Sequence, residues 1–279
     1  MVDFNKIMDI KAKSFEIRKS IIQMLCEAGS GHIGGSLGLA DIFASLYFDE
    51  LKHQPHNPTW DKRDRLILSI GHVAPVLYAS LAHSGYFFVE ELLTLRKLGS
   101  RLQGHPGKDK GLPGLEISSG SLGQGLSIAN GIALSLKMNH SESRVFCICG
   151  DGELQEGSVW EAAMSAGHYK LDNLICIVDR NGLQIDGPTS QVMELEPLSL
   201  KWAAFGWYVI TCNGNYIPDI LKAFAEANSI VGMPKVILAQ TTMGKGVPSI
   251  ENDYRWHGKA PNKEEAQKFL LELENNTTL

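Results

Sequence analysis

Two short polar motifs interrupt long apolar runs in this chain. Gly150-Asp151-Gly152 sets a carboxylate between two glycines at the end of the apolar run 144–149, and Asn181-Gly182 follows the run 174–178. Glycine lets a backbone turn sharply and come close to a ligand. In parallel sheets, ligands gather beyond the carboxyl ends of the strands. The 28 residues between Gly152 and Asn181 read as a helix and a second strand, which would return the chain to the same sheet edge and bring Asp151 and Asn181 together. A carboxylate and a neutral amide are hard oxygen donors. They suit Mg2+, which takes one or two protein carboxylates beside phosphate oxygens and water. Further acids would repel a bound diphosphate. Either motif alone reads as an ordinary strand-end turn; the pair at this spacing is the more specific signal.

The elements that must carry these residues follow from periodicity. Positions Ile7, Ile10, Ile17, Ile21, Met24, Leu25 and Ala28 lie near helical spacing and stop at Gly29. A glycine-rich loop is expected next, then a helix over 40–51 and a buried strand in DRLILSIGH ending at Gly71. The Gly, Pro and Ser content of 99–125 predicts a long functional loop, and helical spacing resumes over 126–138. Strand 144–149, helix 158–167, strand 174–178, strand 207–210, helix 220–227 and strand 235–240 then alternate. This is an α/β pattern: a parallel β-sheet with helices on both faces, its strands continuously apolar as double burial requires. Residues 1–279 read as one domain, with 260–279 a C-terminal tail comprising a short helix and a frayed end.

The composition narrows the function classes. The 279 residues are 44% hydrophobic and 20% charged, with net charge -5, so no basic footprint for nucleic acid is present. The five cysteines form no CxxC pair, and Cys147, Cys149 and Cys176 sit in apolar runs, which predicts reduced thiols. The N-terminus lacks an apolar signal core, and no stretch approaches the roughly 18 apolar residues a membrane span needs. A cytoplasmic protein that binds no membrane is expected. Gly29-Ser30-Gly31-His32-Ile33-Gly34 satisfies GxGxxG but follows a helix instead of a strand, so dinucleotide binding is rejected. His53, His56, His83 and His140 read as structural or surface residues, and His168 as a helix-end residue.

The chain resembles transketolase, specifically its N-terminal, diphosphate-binding (PP-type) half, from about Phe15 to Pro261. The resemblance is carried by AGSGHIGGSLG (28–38), GHVAPVLYA (71–79), QGHP (103–106), SSGSLGQGLSIANGIAL (118–134), GDGELQEGSVWEA (150–162), DRNGLQIDG (179–187), TTMGKG (241–246) and WHG (256–258). It implies thiamine diphosphate as cofactor and Mg2+, with Ca2+ or Mn2+ as substitutes, ligated by Asp151, Asn181 and the Leu183 carbonyl. The diphosphate would meet the Gly152 backbone, His72 and His257; Leu122, Ile185 and Met243 would line the thiazolium, and the Gly120 carbonyl would face the aminopyrimidine. His32, His72, His105 and His257 match histidines at the reacting end, where imidazoles suit proton transfer near neutrality. Glu156 and Glu161 resemble interfacial glutamates; exposed acids early in a helix, favoured by its dipole, are the equal alternative for Glu161. Where fused transketolases read GHPG and PLGQG, this chain has His32-Ile33-Gly34 and Ser121-Leu122-Gly123-Gln124-Gly125, which leaves the substrate subtype open.

In the family, the glutamate that activates the aminopyrimidine and most groups that hold the sugar phosphate lie on a second, pyrimidine-binding domain. Only 39 residues follow Gln240, too few for such a domain. The resemblance therefore implies the N-terminal subunit of a split transketolase, active with a C-terminal subunit in a heterotetramer. It would transfer a two-carbon ketol unit from a ketose (phosphate) to an aldose (phosphate) through a cofactor carbanion, with pentose phosphates the default substrates. Two other readings stay open: the diphosphate subunit of another thiamine diphosphate enzyme, such as deoxyxylulose-phosphate synthase or a 2-oxoacid dehydrogenase, and a noncatalytic cofactor-binding module. LQEG after GDG, with the QGHP and WHG histidines, favours transketolase.

Overall fold

The computed structural model describes residues 3–277. Its strands are β1 (Arg65–Leu68), β2 (Val145–Gly150), β3 (Leu174–Arg180), β4 (Leu183–Gln184), β5 (Gly187–Pro188), β6 (Tyr208–Asn213) and β7 (Lys235–Gln240). The helices are α1 (Phe4–Ala28), α2 (Ile33–Gly38), α3 (Ala40–Ser45), α4 (Ala74–His83), α5 (Gly125–Met138), α6 (Gly157–His168), α7 (Thr189–Val192), α8 (Leu198–Ala204), α9 (Ile217–Ser229) and α10 (Lys263–Thr277). Five strands build one sheet in the order β1-β2-β3-β7-β6, parallel at every pairing, and β4 and β5 form a small antiparallel hairpin.

The strand order explains the two-sided cover. From β1 through β3 the chain steps in one direction; it then jumps to the far edge at β6 and returns to β7. Right-handed crossovers put helices on opposite faces when the direction reverses. Cys147, Cys149, Cys176 and Val178 accordingly pack in one buried cluster with Leu126 and Ala129 of α5, Val159 and Ala163 of α6, and Trp202 of α8. Phe146, Ile148, Ile175 and Ile177 pack on the other face with Ile17 and Ile21 of α1, Phe43 of α3, Tyr78 of α4 and Phe224 of α9. Both faces are thus apolar, which is why the strands lack polar alternation. All five cysteines are free, and four of them are buried.

Three segments differ from the sequence-based expectation. The glycine-rich stretch after Gly29 is not a loop throughout, because 33–38 form α2. Its glycines serve close approach: a Cβ on Gly34 would lie 2.7 Å from Met243 Cγ, and one on Gly38 would lie 2.9 Å from the Thr242 carbonyl oxygen. The strand expected up to Gly71 ends at Leu68, and 71–73 make a single tight turn instead. The tail is a packed helix: Ala266, Phe269 and Leu273 of α10 are buried in the core cluster shared with α1. Thr278 and Leu279, the expected frayed end, lie outside the described residues.

Beneath α2 a buried polar network replaces apolar packing. The Arg18 guanidinium donates to both Asp41 carboxylate oxygens at 2.9 and 2.7 Å and to the carbonyls of Leu37 and Lys245 at 3.2 and 3.0 Å. Asn215 donates to the Gly38 carbonyl at 2.8 Å and accepts from the Thr242 N–H at 2.7 Å. A buried pair is tolerated when its remaining polar atoms are satisfied; here the satisfying groups tie α2 to the segment after β7. Among the described residues, no helix is long and apolar enough to cross a membrane.

Candidate active site

β2 and β3 run in register, with Gly150 beside Asp179, so the two polar motifs emerge next to each other. Asp151 is 2% exposed. Its Oδ1 accepts the Gly152 N–H at 2.7 Å, and its Oδ2 accepts the Gly182 N–H at 2.6 Å and the Arg180 guanidinium at 2.9 Å. Asn181 donates to Asp179 at 2.8 Å and accepts the Leu183 N–H at 2.9 Å. The expected convergence of Asp151 and Asn181 is therefore present, knitted through Gly182.

Burial pushes the Asp151 carboxyl above its usual range, opposed by Arg180 and the two amide donors. Burial also pushes Asp179 up to about 7, opposed by the Thr241 hydroxyl and then reinforced by the charge of Asp151. Among the described residues no group of three or more His, Cys, Asp or Glu could hold a metal ion. A cation here would depend on Asp151 with the Asn181 amide oxygen and the Leu183 carbonyl. That set is entirely hard oxygen with one charge, and it fits Mg2+ completed by phosphate oxygens.

Four imidazoles form a cluster, one of them just past the carboxyl end of β1, the strand beside β2. His32 immediately precedes α2, His72 sits on the turn Gly71–Val73 after β1, His105 lies in the long loop, and His257 follows the turn Tyr254–Trp256. The Ile33 N–H donates to the Lys259 carbonyl at 3.2 Å, which pins the His257 segment against α2. Ring centroids are 5.1 Å apart for His32 and His72, 5.1 Å for His72 and His257, 5.9 Å for His32 and His257, and 6.3 Å for His32 and His105. Burial lowers His32 to about 4 and His72 to about 3, with His257 next in order for both; His105 and His257 are also lowered, chiefly by burial. At neutral pH each imidazole is uncharged, with one N–H to give and one lone pair to accept. Among the described residues the buried Nδ1 atoms of His32 and His257 have no hydrogen-bond partner, which leaves both able to meet a polar ligand.

The remaining expected residues fall into two groups. Gly120 and Leu122 lie exposed on the loop before α5, and Ile185 is exposed at the tip of the β4–β5 hairpin. An open depression of about 590 Å³ runs beside this loop, lined by His105, Ser119, Gly120, Gln124 and Ile128. Met243, in contrast, is fully buried against Gly34, so it backs the wall and does not face open space. The Gly152 N–H is engaged by the Asp151 side chain. Glu156 stands just before α6 without a side-chain bond to it, and Glu161 lines a shallow cavity of about 280 Å³ with Asn130 and Ser165; both acids are exposed. A larger cavity, about 710 Å³, lies elsewhere between α1 and α10 and contains none of the four histidines.

Glu153 is a residue that sequence reasoning passed over. It is 2% exposed and accepts the Gly123 N–H at 2.7 Å, the Gly150 N–H at 3.1 Å and the Ser69 hydroxyl. Ser69 in turn accepts the Gly125 N–H at 3.1 Å. Burial, followed by Cys149, pushes Glu153 up to about 8. One carboxyl group thereby holds the loop carrying Gly120 and Leu122 to the ends of β1 and β2. Asp179 and Arg180 were likewise visible only as part of the DRNG string; no sequence signal distinguishes their bonds to Asn181 and Asp151.

A parallel sheet that brings an acid and an amide together at the carboxyl ends of neighbouring strands, with a cluster of imidazoles in the same fold, fits a cofactor domain of the thiamine diphosphate class. Residues 11–275 match the family described as "Transketolase, thiamine diphosphate binding domain". The chain belongs to the transketolase family and corresponds to its N-terminal half. It is 42% identical to the 6-deoxy-6-sulfo-D-fructose transketolase subunit SqwG of a Clostridium strain, over 96% of this chain and 97% of that one. It is 38% identical to an apulose-4-phosphate transketolase subunit of Phocaeicola vulgatus, over 96% and 95% of the two chains. The solved transketolase of Campylobacter jejuni superposes with a TM-score of 0.89 at 35% identity, covering 98% of this chain and 43% of that one.

Proposed function

We propose that this chain is the thiamine-diphosphate-side subunit of a split transketolase, moving a two-carbon ketol unit between sugars that carry an anionic end. The observation that carries the reading is the convergence of four imidazoles, one of them just past the carboxyl end of β1, in the sheet whose next two strands deliver Asp151 and Asn181. The likeness to two relatives named as transketolase subunits, at 42% and 38% identity, supports the split reading; the chain spans 43% of human transketolase. A separate C-terminal subunit would supply the pyrimidine-side domain, in a heterotetramer, and five free cysteines suit the cytoplasm.

When bound, thiamine diphosphate supplies a carbon nucleophile able to add to a ketose carbonyl and hold the released electron pair. Asp151, Asn181 and the Leu183 carbonyl would hold Mg2+, or Ca2+ or Mn2+ in its place. The Gly152 backbone, His72 and His257 would meet the diphosphate, and the Gly120 carbonyl would orient the aminopyrimidine. Leu122 and Ile185 would exclude water from the thiazolium, with Met243 supporting the wall behind them. The neutral imidazoles of His32, His72, His105 and His257 can accept a hydrogen bond from a sugar hydroxyl or donate one to a carbonyl oxygen. Glu156 and Glu161 would meet a second copy of this chain across the dimer. Two subunit relatives are named for a sulfonated and a phosphorylated sugar, so the anion is left as a class, with pentose phosphates the default.

The test is turnover by the complex with its partner subunit, thiamine diphosphate and Mg2+. Ketose cleavage and transfer to an aldose, with no carbon dioxide released, is expected. A fully loaded complex that cleaves no ketose would overturn the reading.

A further inference from the structure

Arg180 is bonded directly to the acid that would hold the cation. Its guanidinium donates to Asp151 Oδ2 and to the Thr189 hydroxyl, each at 2.9 Å, and to Glu196 at 3.1 Å. Asp151 Oδ2 also accepts the Gly182 N–H at 2.6 Å, whereas Oδ1 accepts, among the described residues, only the Gly152 N–H. A carboxylate oxygen offers two lone pairs, so Oδ1 can still take a cation. The acid is a usable ligand that already carries a positive group on its other oxygen.

The surrounding charges decide what this arrangement admits. Asp151 is 2% exposed and the Arg180 side chain 19%, so water and salt screen the pair weakly. The Glu196 side chain on the other arm of Arg180 is 57% exposed, and its charge is screened. Asp179 is buried, but its oxygens are turned to the Thr241 hydroxyl and the Asn181 amide. The one available carboxylate is therefore matched by one guanidinium, and the other expected ligands, the Asn181 amide and the Leu183 carbonyl, are neutral. A bare divalent cation would give up water for a site that attracts it weakly and repels it through Arg180. A diphosphate brings more negative charge than the cation brings positive, so the two together meet Arg180 favourably.

We propose that Arg180 is the resident counter-ion of Asp151: it keeps the acid from holding a bare divalent cation and reserves the site for a cation that shares it with a diphosphate. The inference rests on the metal-site assignment in the functional reading above and adds to it a residue that sets what the site accepts.

Arg180→Met removes the charge and keeps the stem, and Arg180→Gln, a second neutral variant should the first disturb folding, keeps a donor for Thr189. Arg180→Lys retains the charge. Mn2+ alone is titrated into the full chain and followed by electron paramagnetic resonance; separately, inorganic pyrophosphate is titrated into the metal-free chain in EDTA and followed by calorimetry. The neutral variants are expected to bind Mn2+ about tenfold more tightly than the wild type and pyrophosphate about tenfold more weakly, with Arg180→Lys close to the wild type in both. A residue that only supports the fold would weaken both ligands when replaced, so the opposite signs are the signature. Mn2+ binding that stays the same or weakens in the neutral variants, or pyrophosphate binding that does not fall, overturns the role of Arg180. The site itself is checked apart from it: Mn2+ held by the reconstituted complex with thiamine diphosphate is expected to be lost in Asp151→Ala, and its retention there sinks the metal assignment whatever the Arg180 variants show.

Discussion

Asp151 receives two backbone N–H groups and a guanidinium, so its charge is held in place before any cation arrives. Asp151→Ala is expected to weaken Mg2+-dependent thiamine diphosphate binding by on the order of 100-fold or more, since even ligand-supporting residues reach that figure. Fluorescence titration with cofactor decides it, and normal affinity would remove Asp151 from the metal site. Above pH 8, where Glu153 is ionised, Glu153→Gln keeps the shape but turns an N–H2 toward one of two backbone donors, Gly123 or Gly150. A loss of about 1–3 kcal/mol in urea unfolding is expected, together with faster amide exchange at Gly123. The histidines set a pH window. Their folded values lie below the ordinary one near 6.5, so the unfolded chain takes up protons first as pH falls. Stability is therefore fully present above about 6.5 and declines from there toward the folded values near 4 and 3. Urea midpoints measured across that range, against a variant with His32 and His72 replaced by Gln, check the sign. Asp151 and the histidines were legible because they sit in motifs. Glu153 was not, because its partners Ser69 and Gly123 are 84 and 30 residues away.

Elements were readable wherever burial imposed a period or an unbroken apolar run, as for α1, β2, β3 and β7. The helix α2 was hidden because glycine normally argues against helix, whereas here it permits contact with Met243 and Thr242. The same logic makes glycine positions sharp tests of packing. A Cβ on Gly167 would lie 1.9 Å from the Phe205 carbonyl oxygen, so α6 must part from the turn after α8. Gly167→Ala is expected to cost roughly 3 kcal/mol or more, read from the thermal midpoint. A Cβ on Gly71 would instead meet the Gly120 nitrogen at 2.8 Å, at the edge of the loop beside His105. Gly71→Ala is expected to weaken cofactor binding more than it lowers the melting temperature, and the reverse ranking would show that this loop does not shape the cofactor site.

At the scale of the molecule, the two-faced sheet was evident from the alternation of strands and helices, but the crossing to β6 and back was not, because periodicity carries no strand order. The sugar was illegible for a physical reason: the side chains that would meet its far end are brought together by tertiary contact, which spacing along the chain does not encode. The unusual chemistry is also concentrated where distant segments meet. The Ile33–Lys259 hydrogen bond, which brings His257 beside His32, joins residues near opposite ends of the chain. Closing so long a span is entropically late work, after local helices and neighbouring strands have formed. In kinetic terms the fold should precede its own ligand site. A chain refolding from urea would regain its far-ultraviolet helical signal first and its affinity for cofactor afterwards, leaving an interval in which it is ordered yet has nothing to hold.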